Sequence, residues 1–331
     1  MIPEQHEAVA WDPGAEGFVA LTQPTEMPQG HDLLLEVAAA ALNPVDLKVR
    51  AMLGRADPPR VLGYDGVGRV LAVGPEAAGF APGDRVWYAG AAHRPGANAR
   101  LQLVDARIVA PAPSSLSDAD AAALPLTGLT AWEGLFERLG YAELSDAPQP
   151  ALLMINGAGG VGSIALQLAR RAGIAATATA SRAESQAWCR RMGAAEVLAH
   201  GALAELPDSR FARIFCAHDT SAYIETMGRL VAPQGLVCSI VGAQGPLNLM
   251  PMFQKSAGFV WEYMFTRPLH GTADIARQGE ILRALARLVD AGEIVTTRTR
   301  VLEGLTPETL AEAHAAQGAG ASIGKTVIVY G

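Results

Sequence analysis

Cysteine is scarce in this 331-residue chain, which has only Cys189, Cys216 and Cys238. Their odd number and wide spacing exclude a disulfide framework and a CxxC zinc set, and they fit a reducing cytoplasm. Positive charge is short as well. There are 26 Lys and Arg against 33 Asp and Glu, a net charge of −7, so no basic footprint exists for nucleic acid or for an anionic membrane. Long apolar runs are missing too. The longest uncharged span, 230–254, is broken by Pro233, Gly235, Gly242, Gly245, Pro246 and Pro251, which predicts strands, turns and loops in place of a membrane helix. The first ten residues carry Glu4 and Glu7 and no apolar core, so no secretory signal is expected.

What is present is ordinary for a soluble, turn-rich α/β chain long enough for two domains: half the residues are hydrophobic, 18% are charged and 35 are glycine. The most informative stretch is 151–172, ALLMINGAGGVGSIALQLARRA. An apolar run, 151–155, breaks at a glycine turn and resumes with Val161, Ala165, Leu168 and Ala172 at helical spacing. The turn reads Gly157-x-Gly159-Gly160-Val161-Gly162. Its glycines allow a tight turn, close approach of backbone to a pyrophosphate, and close packing of helix on strand. The pyrophosphate would lie on the free N–H groups and the positive end of the helix. A preceding strand and a following helix are the context this motif requires.

One more shortage selects the dinucleotide. NAD binders carry an Asp or Glu at the end of the second strand for the ribose 2′-OH, yet no acidic residue occurs from Ile155 to Ala183. The second strand, 175–180, runs into Ser181-Arg182, a hydroxyl and a planar guanidinium suited to a 2′-phosphate. NADPH is therefore the expected cofactor; the alternative for Arg182 is a solvated surface charge.

In chain order, residues 1–123 alternate in short segments. Strands are expected at 9–11, 18–21, 33–38, 85–88 and 99–104, with four glycines in 61–74 marking bulges and close backbone approach. Ser117 caps a short helix, 118–124, which Pro125 ends, and an apolar helix follows at 127–139. Strands then alternate with helices through about residue 241, which predicts a doubly wound parallel sheet. A long helix is expected at 273–291. The strand-like tail, 324–329, could return to pair with the first domain.

The ordered segments NPVDLKVR (43–50), GYDGVGRVLAVG (63–74), PGDRV (82–86), LPLTGLTAWEGL (124–135) and NGAGGVG (156–162) resemble the medium-chain dehydrogenase/reductase superfamily. The chain is most similar to its zinc-free quinone oxidoreductase branch, including members named zinc-type alcohol dehydrogenase-like. WEYMFTR (261–267) and GKTVI (324–328) extend the resemblance over essentially the whole chain. It implies an α/β protein with a GroES-like β-rich catalytic domain (1–126, completed by 262–331), a Rossmann cofactor domain (127–261), a cleft between the two, and a homodimer joined through the Rossmann sheets.

At the positions where zinc-using relatives place ligands this chain has Asn43, Tyr64 and Asp65. Asp65 and His93 could supply two ligands, but nothing completes a set of three. No metal is expected, and alcohol dehydrogenation is disfavoured because an alkoxide lacks a Lewis acid. Hydride from NADPH then needs an acceptor that is already electrophilic, a quinone or an α,β-unsaturated carbonyl, with a hydrogen-bond donor at the developing oxyanion. By resemblance Tyr64 faces the cleft and donates, or it simply packs; Asn43 donates an amide N–H, or it is a turn residue before Pro44. Asp46 and Lys48 form a supporting pair or are solvated charges.

The resemblance further assigns Thr127 and Thr130 to the nicotinamide, with helix capping as the alternative. It puts His200 near the adenosine phosphate and Val241 and Gly242 under the nicotinamide. It assigns Lys325 to the cofactor, the alternative being a surface lysine, and Met264 and Phe265 to the pocket or the dimer seam. An enoyl-thioester reductase and a low-turnover NADPH-binding redox sensor are the competing functions.

Overall fold

Short alternating segments with one apolar face pair most readily as antiparallel strands, and the first 126 residues do so. In the computed structural model, which describes Met1–Gly331, β1 (Gln5–Asp12) lies between β2 (Gly17–Pro24) and β4 (Arg60–Val61). A larger sheet is built on β3 (Asp32–Ala41), which pairs antiparallel with β5 (Gly66–Val73) and β7 (Leu101–Asp105). From β5 it continues through β6 (Arg85–Tyr88) to β8 (Val109–Pro111). The β3–β5 register slips twice, between Leu34 and Leu35 and between Val37 and Ala39. Gly68 sits beside the second slip, and a Cβ there would strike the Glu36 carbonyl, so the close approach expected of the glycine-rich segment is real at this position.

The chain's end belongs to the same unit. Strand β16 (Lys325–Val329) pairs antiparallel with β3 through Val327↔Ala41 and parallel with β15 (Arg298–Glu303). This unit comprises Met1–Leu126 and Phe265–Gly331. Buried Leu33, Leu35, Val70, Val86, Val104 and Ile108 form one of its cores, and Val9, Val37, Leu42, Leu310 and Ile328 form part of another.

The second unit, Thr127–Met264, is the parallel sheet. Its strand order is β11 (Glu196–Leu198), β10 (Ala176–Thr179), β9 (Leu152–Ile155), β12 (Phe211–Cys216), β13 (Val231–Ser239) and β14 (Gly258–Trp261). Every neighbouring pair is parallel. The order reverses between β9 and β12, which is where doubly wound sheets bind ligands, beyond the carboxyl ends of the strands. The unit closes at Met264, three residues beyond the expected boundary. The Glu262 N–H donates to the Ser239 carbonyl, and the Glu262 carboxylate, fully buried, pairs with Arg138 at 2.8 Å, so the segment after β14 stays with the parallel sheet.

Two helical expectations change. Pro125 does not end a helix but opens one, α3 (Pro125–Trp132), since proline at the first helical position lacks only an N–H that would have no intrahelical partner. Residues Glu133–Arg138 then continue as a π-helix. Thr127 and Thr130 consequently lie within a helix and not in a turn before it. The Ser117 cap of α2 (Asp118–Ala122) forms as read, its Oγ accepting the Asp120 N–H at 3.1 Å. No helix is long and apolar enough to cross a membrane.

Candidate functional site

The glycine turn is held from three sides. Gly159 caps the twelve-residue helix α4 (Gly160–Arg171) without any side-chain hydrogen bond, so the first N–H groups of the helix are left for a ligand, at its positive end. Gly162 is buried, and a Cβ there would come within 2.5 Å of the Asn156 carbonyl oxygen and 2.7 Å of Gly157. It is the packing glycine of the motif. Gly157 is buried beside Ala178 of β10. Gly160 and Val161, half-exposed, form the first turn of the helix.

Sequence reasoning overlooked Asn156, which precedes the turn. Its φ of 68° is left-handed, a region asparagine enters more readily than most residues. Its N–H donates to Thr179 Oγ1 at 2.8 Å and its Nδ2 to the Ala217 carbonyl at 3.1 Å, tying the turn to the ends of β10 and β12. The glycine spacing pointed to the turn; nothing in it pointed to the tether.

Ser181 and Arg182 are exposed beyond the end of β10, with Arg182 at the N-cap position of α5 (Ala183–Met192). The pairing Thr179↔Leu198 puts Ser181 and His200 two residues past matched positions on adjacent strands. His200 is half-buried, and its Nδ1 shares a 2.5 Å hydrogen bond with Tyr223. Its ring lies 5.8 Å from that of His218. Burial, with His218 beside it, holds its pKa below the usual value. His218 and Tyr223 carried no sequence signal, because they arrive from the loop and helix after β12. Beyond β13, Gly242 is exposed, and the Val241 carbonyl accepts from Thr220 Oγ1, itself 2.5 Å from Ser239 Oγ. Thr127 and Thr130 are buried in α3.

In the antiparallel unit the site residues meet in a closed polar cluster. Asn43 ends β3's excursion and precedes α1 (Pro44–Met52); Asp46 is the third residue of that helix. Asp46 Oδ2 accepts the Asn43 N–H at 2.8 Å and Oδ1 the Gly63 N–H at 2.9 Å. Asp65 Oδ1 accepts the Leu126 N–H at the start of α3 at 2.7 Å, capping that helix from 61 positions away. Asp65 Oδ2 accepts from Asn43 Nδ2 at 2.7 Å and from Lys325 Nζ at 2.9 Å. Lys325 Nζ also donates to Asn43 Oδ1, and Asn43 Nδ2 to the Ala41 carbonyl at 3.2 Å.

The expectations for Lys325, Asp46 and Asn43 are corrected here. Lys325 is not a surface lysine: it is buried in an ion pair with Asp65. Asp46 pairs with backbone and not with Lys48, which is exposed. Asn43 has both amide hydrogens and its oxygen committed within the protein, so it positions its neighbours and has none left to give a substrate. Tyr64 is 1% exposed, its ring 5.4 Å edge-on from Phe265; Met264 is buried too. Burial pushes the Asp46 carboxyl up to about 7, against its two N–H partners and the attraction of Lys325. Burial likewise raises Asp65, opposed by Lys325 and Asn43.

Residues 29–114 match the alcohol dehydrogenase GroES-like domain family and 192–328 the zinc-binding dehydrogenase family. A zinc-type alcohol dehydrogenase-like protein of Staphylococcus aureus is 41% identical over 94% of both chains. The 2-methylene-furan-3-one reductase of Solanum lycopersicum is 36% identical over 55% of this chain and 50% of its own. A quinone oxidoreductase of Pseudomonas syringae superposes with a TM-score of 0.81 at 25% identity, covering 98% of this chain and 99% of its own.

The family's name raises zinc, and the side chains here do not fit it. Zinc needs three or four side-chain donors with free lone pairs converging on one point. Both Asp65 oxygens are engaged, one of them by a cation that the chain itself supplies, and Asn43 Oδ1 is held by the same ammonium. Nowhere do three His, Cys, Asp or Glu side chains gather to hold a metal.

Proposed function

The chain belongs to the medium-chain dehydrogenase/reductase superfamily, and on that premise we propose that this oxidoreductase uses NADPH to reduce a quinone or an α,β-unsaturated carbonyl without metal assistance. The observation that carries the reading is that both oxygens of buried Asp65 are already bonded, to Leu126, Asn43 and the Lys325 ammonium. A carbonyl not polarised by a Lewis acid must belong to an acceptor that delocalises the incoming charge by itself. The enone reductase and quinone oxidoreductase among similar proteins support that acceptor class.

When bound, the dinucleotide supplies the hydride. The residues of this chain bind and orient. The N-terminus of α4 receives the pyrophosphate, Ser181 and Arg182 the 2′-phosphate, with His200 on the adjacent strand end, and Thr127, Thr130, Val241 and Gly242 the nicotinamide end. Tyr64 is the hydroxyl assigned to the developing oxyanion, where a donor in a water-poor site contributes on the order of 10²-fold or more. Asn43 and Lys325 act behind it by fixing Asp65.

The partner proposed is a second copy of the chain. Strand β14 ends the sheet with one neighbour, and Phe253, Trp261 and Tyr263 expose 74, 44 and 45% of their surface, an edge that pairing would cover.

The test follows nicotinamide absorbance with NADPH against a panel of quinones, alkenals and enoyl thioesters, with and without a chelator. Turnover of quinones or alkenals that ignores the chelator is expected. Thioester turnover alone would make the protein an enoyl-thioester reductase, binding without turnover a redox sensor, and chelator-sensitive turnover would end the metal-free reading.

A further inference from the structure

A lysine ammonium enclosed by protein is costly unless it finds hydrogen-bond acceptors and its charge an anion. The Lys325 side chain is 3% exposed and that of Asp65 is 0% exposed. The backbone prepares this placement: Gly324 is left-handed at φ 59°, and the Lys325 N–H donates to the Thr297 carbonyl at 2.9 Å. Chemistry alone orients the cluster. An ammonium has no acceptor, so it must face the amide oxygen of Asn43, which leaves Nδ2 for the carboxylate of Asp65.

We propose that Lys325 is the built-in cation of this buried cluster, an ammonium that takes the place of a divalent metal ion by neutralising Asp65 and fixing the Asn43 amide. It reaches Asp65 Oδ2 at 2.9 Å and bonds Asn43 Oδ1 in the same stroke. A compact point charge with three rotatable donors suits this duty; the planar fork of arginine does not. Through Asp65 the same ammonium supports the start of α3, since Asp65 Oδ1 takes the Leu126 N–H. Lys325 is therefore a positioning residue for the Asn43–Asp65 segment on which Tyr64 is carried. This inference rests on the metal-free reading above and adds what stands in the metal's position.

The experiment measures zinc content by mass spectrometry after incubation and desalting, together with melting temperature in the presence of zinc or methylammonium. The whole chain is used as wild type, as Lys325→Ala and as the double variant Lys325→Met/Asp65→Asn. Wild type is expected to retain under about one-tenth of an equivalent of zinc, with its melting temperature unmoved by zinc or chelator. Lys325→Ala should melt about 5–15 °C lower, and methylammonium or zinc should return part of that loss. The double variant should melt above Lys325→Ala and respond to neither cation. A role in packing alone would produce no rescue by a small cation, and that result overturns the proposal. So does an unchanged melting temperature for Lys325→Ala, or equal rescue of the double variant. Stoichiometric zinc in the wild type overturns it as well. Should Lys325→Ala not fold, recovery of folding in the double variant supports the charge-pairing argument and its failure to fold refutes it. If the wild type binds no zinc and its turnover ignores chelator while rescue is absent, this inference fails and the metal-free reductase stands.

Discussion

The polar cluster around Asn43 in one unit and the residues just past β10 and β13 in the other stand in opposite conditions. In the antiparallel unit, Asn43, Asp46, Asp65 and Lys325 are buried and bonded to one another or to backbone. At the carboxyl edge of the parallel sheet, Ser181, Arg182 and Gly242 stand exposed, and helix α4 begins at a glycine with no capping side chain. Enclosure by partners makes a residue a support, and exposure leaves it accessible. Motif residues that look alike in sequence therefore divide into those enclosed in the frame and those exposed beyond the strand ends.

The sharpest way to break the comparison is Asp65→Ala. It leaves a buried ammonium without its anion and strips the Leu126 N–H of its acceptor, so a loss of about 3–5 kcal/mol in denaturant unfolding is expected. A loss below about 1 kcal/mol would place Asp65 among surface charges. Gly162→Ala comes next. Its Cβ would lie 2.5 Å from the backbone oxygen of Asn156, and forcing the helix off the strand should cost about 1–3 kcal/mol of stability and weaken cofactor binding with it. Equal stability of variant and parent would show that α4 is free to shift.

Arg182→Ala probes the open side. Its expected signature is a dissociation constant for NADPH raised about 10–100-fold, as for loss of a charge-assisted hydrogen bond, with that for NADH and the melting temperature unmoved. An equal effect on both nucleotides would remove the 2′-phosphate assignment. The smallest effect is a pH slope. The folded-state pKa of Asp46 stands at about 7, above the roughly 3.9 of an unfolded chain, so the native state holds this proton more tightly. Its contribution is full below about pH 4 and is lost as pH rises to about 7, at up to ~1.4 kcal/mol per pH unit. Asp46→Asn should flatten that part of the stability curve relative to wild type. An unchanged slope would mean that Asp46 is ionised throughout.

Much of the cofactor half was legible because its signals are local. The glycine turn, the strand before it, the helix after it and the Ser181-Arg182 step are each read within about thirty residues. The limits of that reading appear at Pro125, where local rules end a helix and the fold begins one. Asp65, supplied from β5's approach, accepts the Leu126 N–H there. His218, Tyr223 and Asn156 escaped for a related reason: each meets a partner (His200, Thr179 or Ala217) 18 to 61 positions away.

By itself the sequence determined the family, the alternation of strands and helices, the glycine cradle, and the absence of an acidic residue after the second strand, since each depends on side-chain type and short-range spacing. Only the tertiary structure decided that Lys325 is a buried cation, that Asn43 has no amide hydrogen to spare, and that Asp46 belongs to backbone N–H groups and not to Lys48. Those outcomes depend on which acceptor a donor meets once β16 has closed against β3, 260 positions from Asp65 to Lys325. Hydrogen bonding and desolvation respond to that meeting and carry no trace in local order.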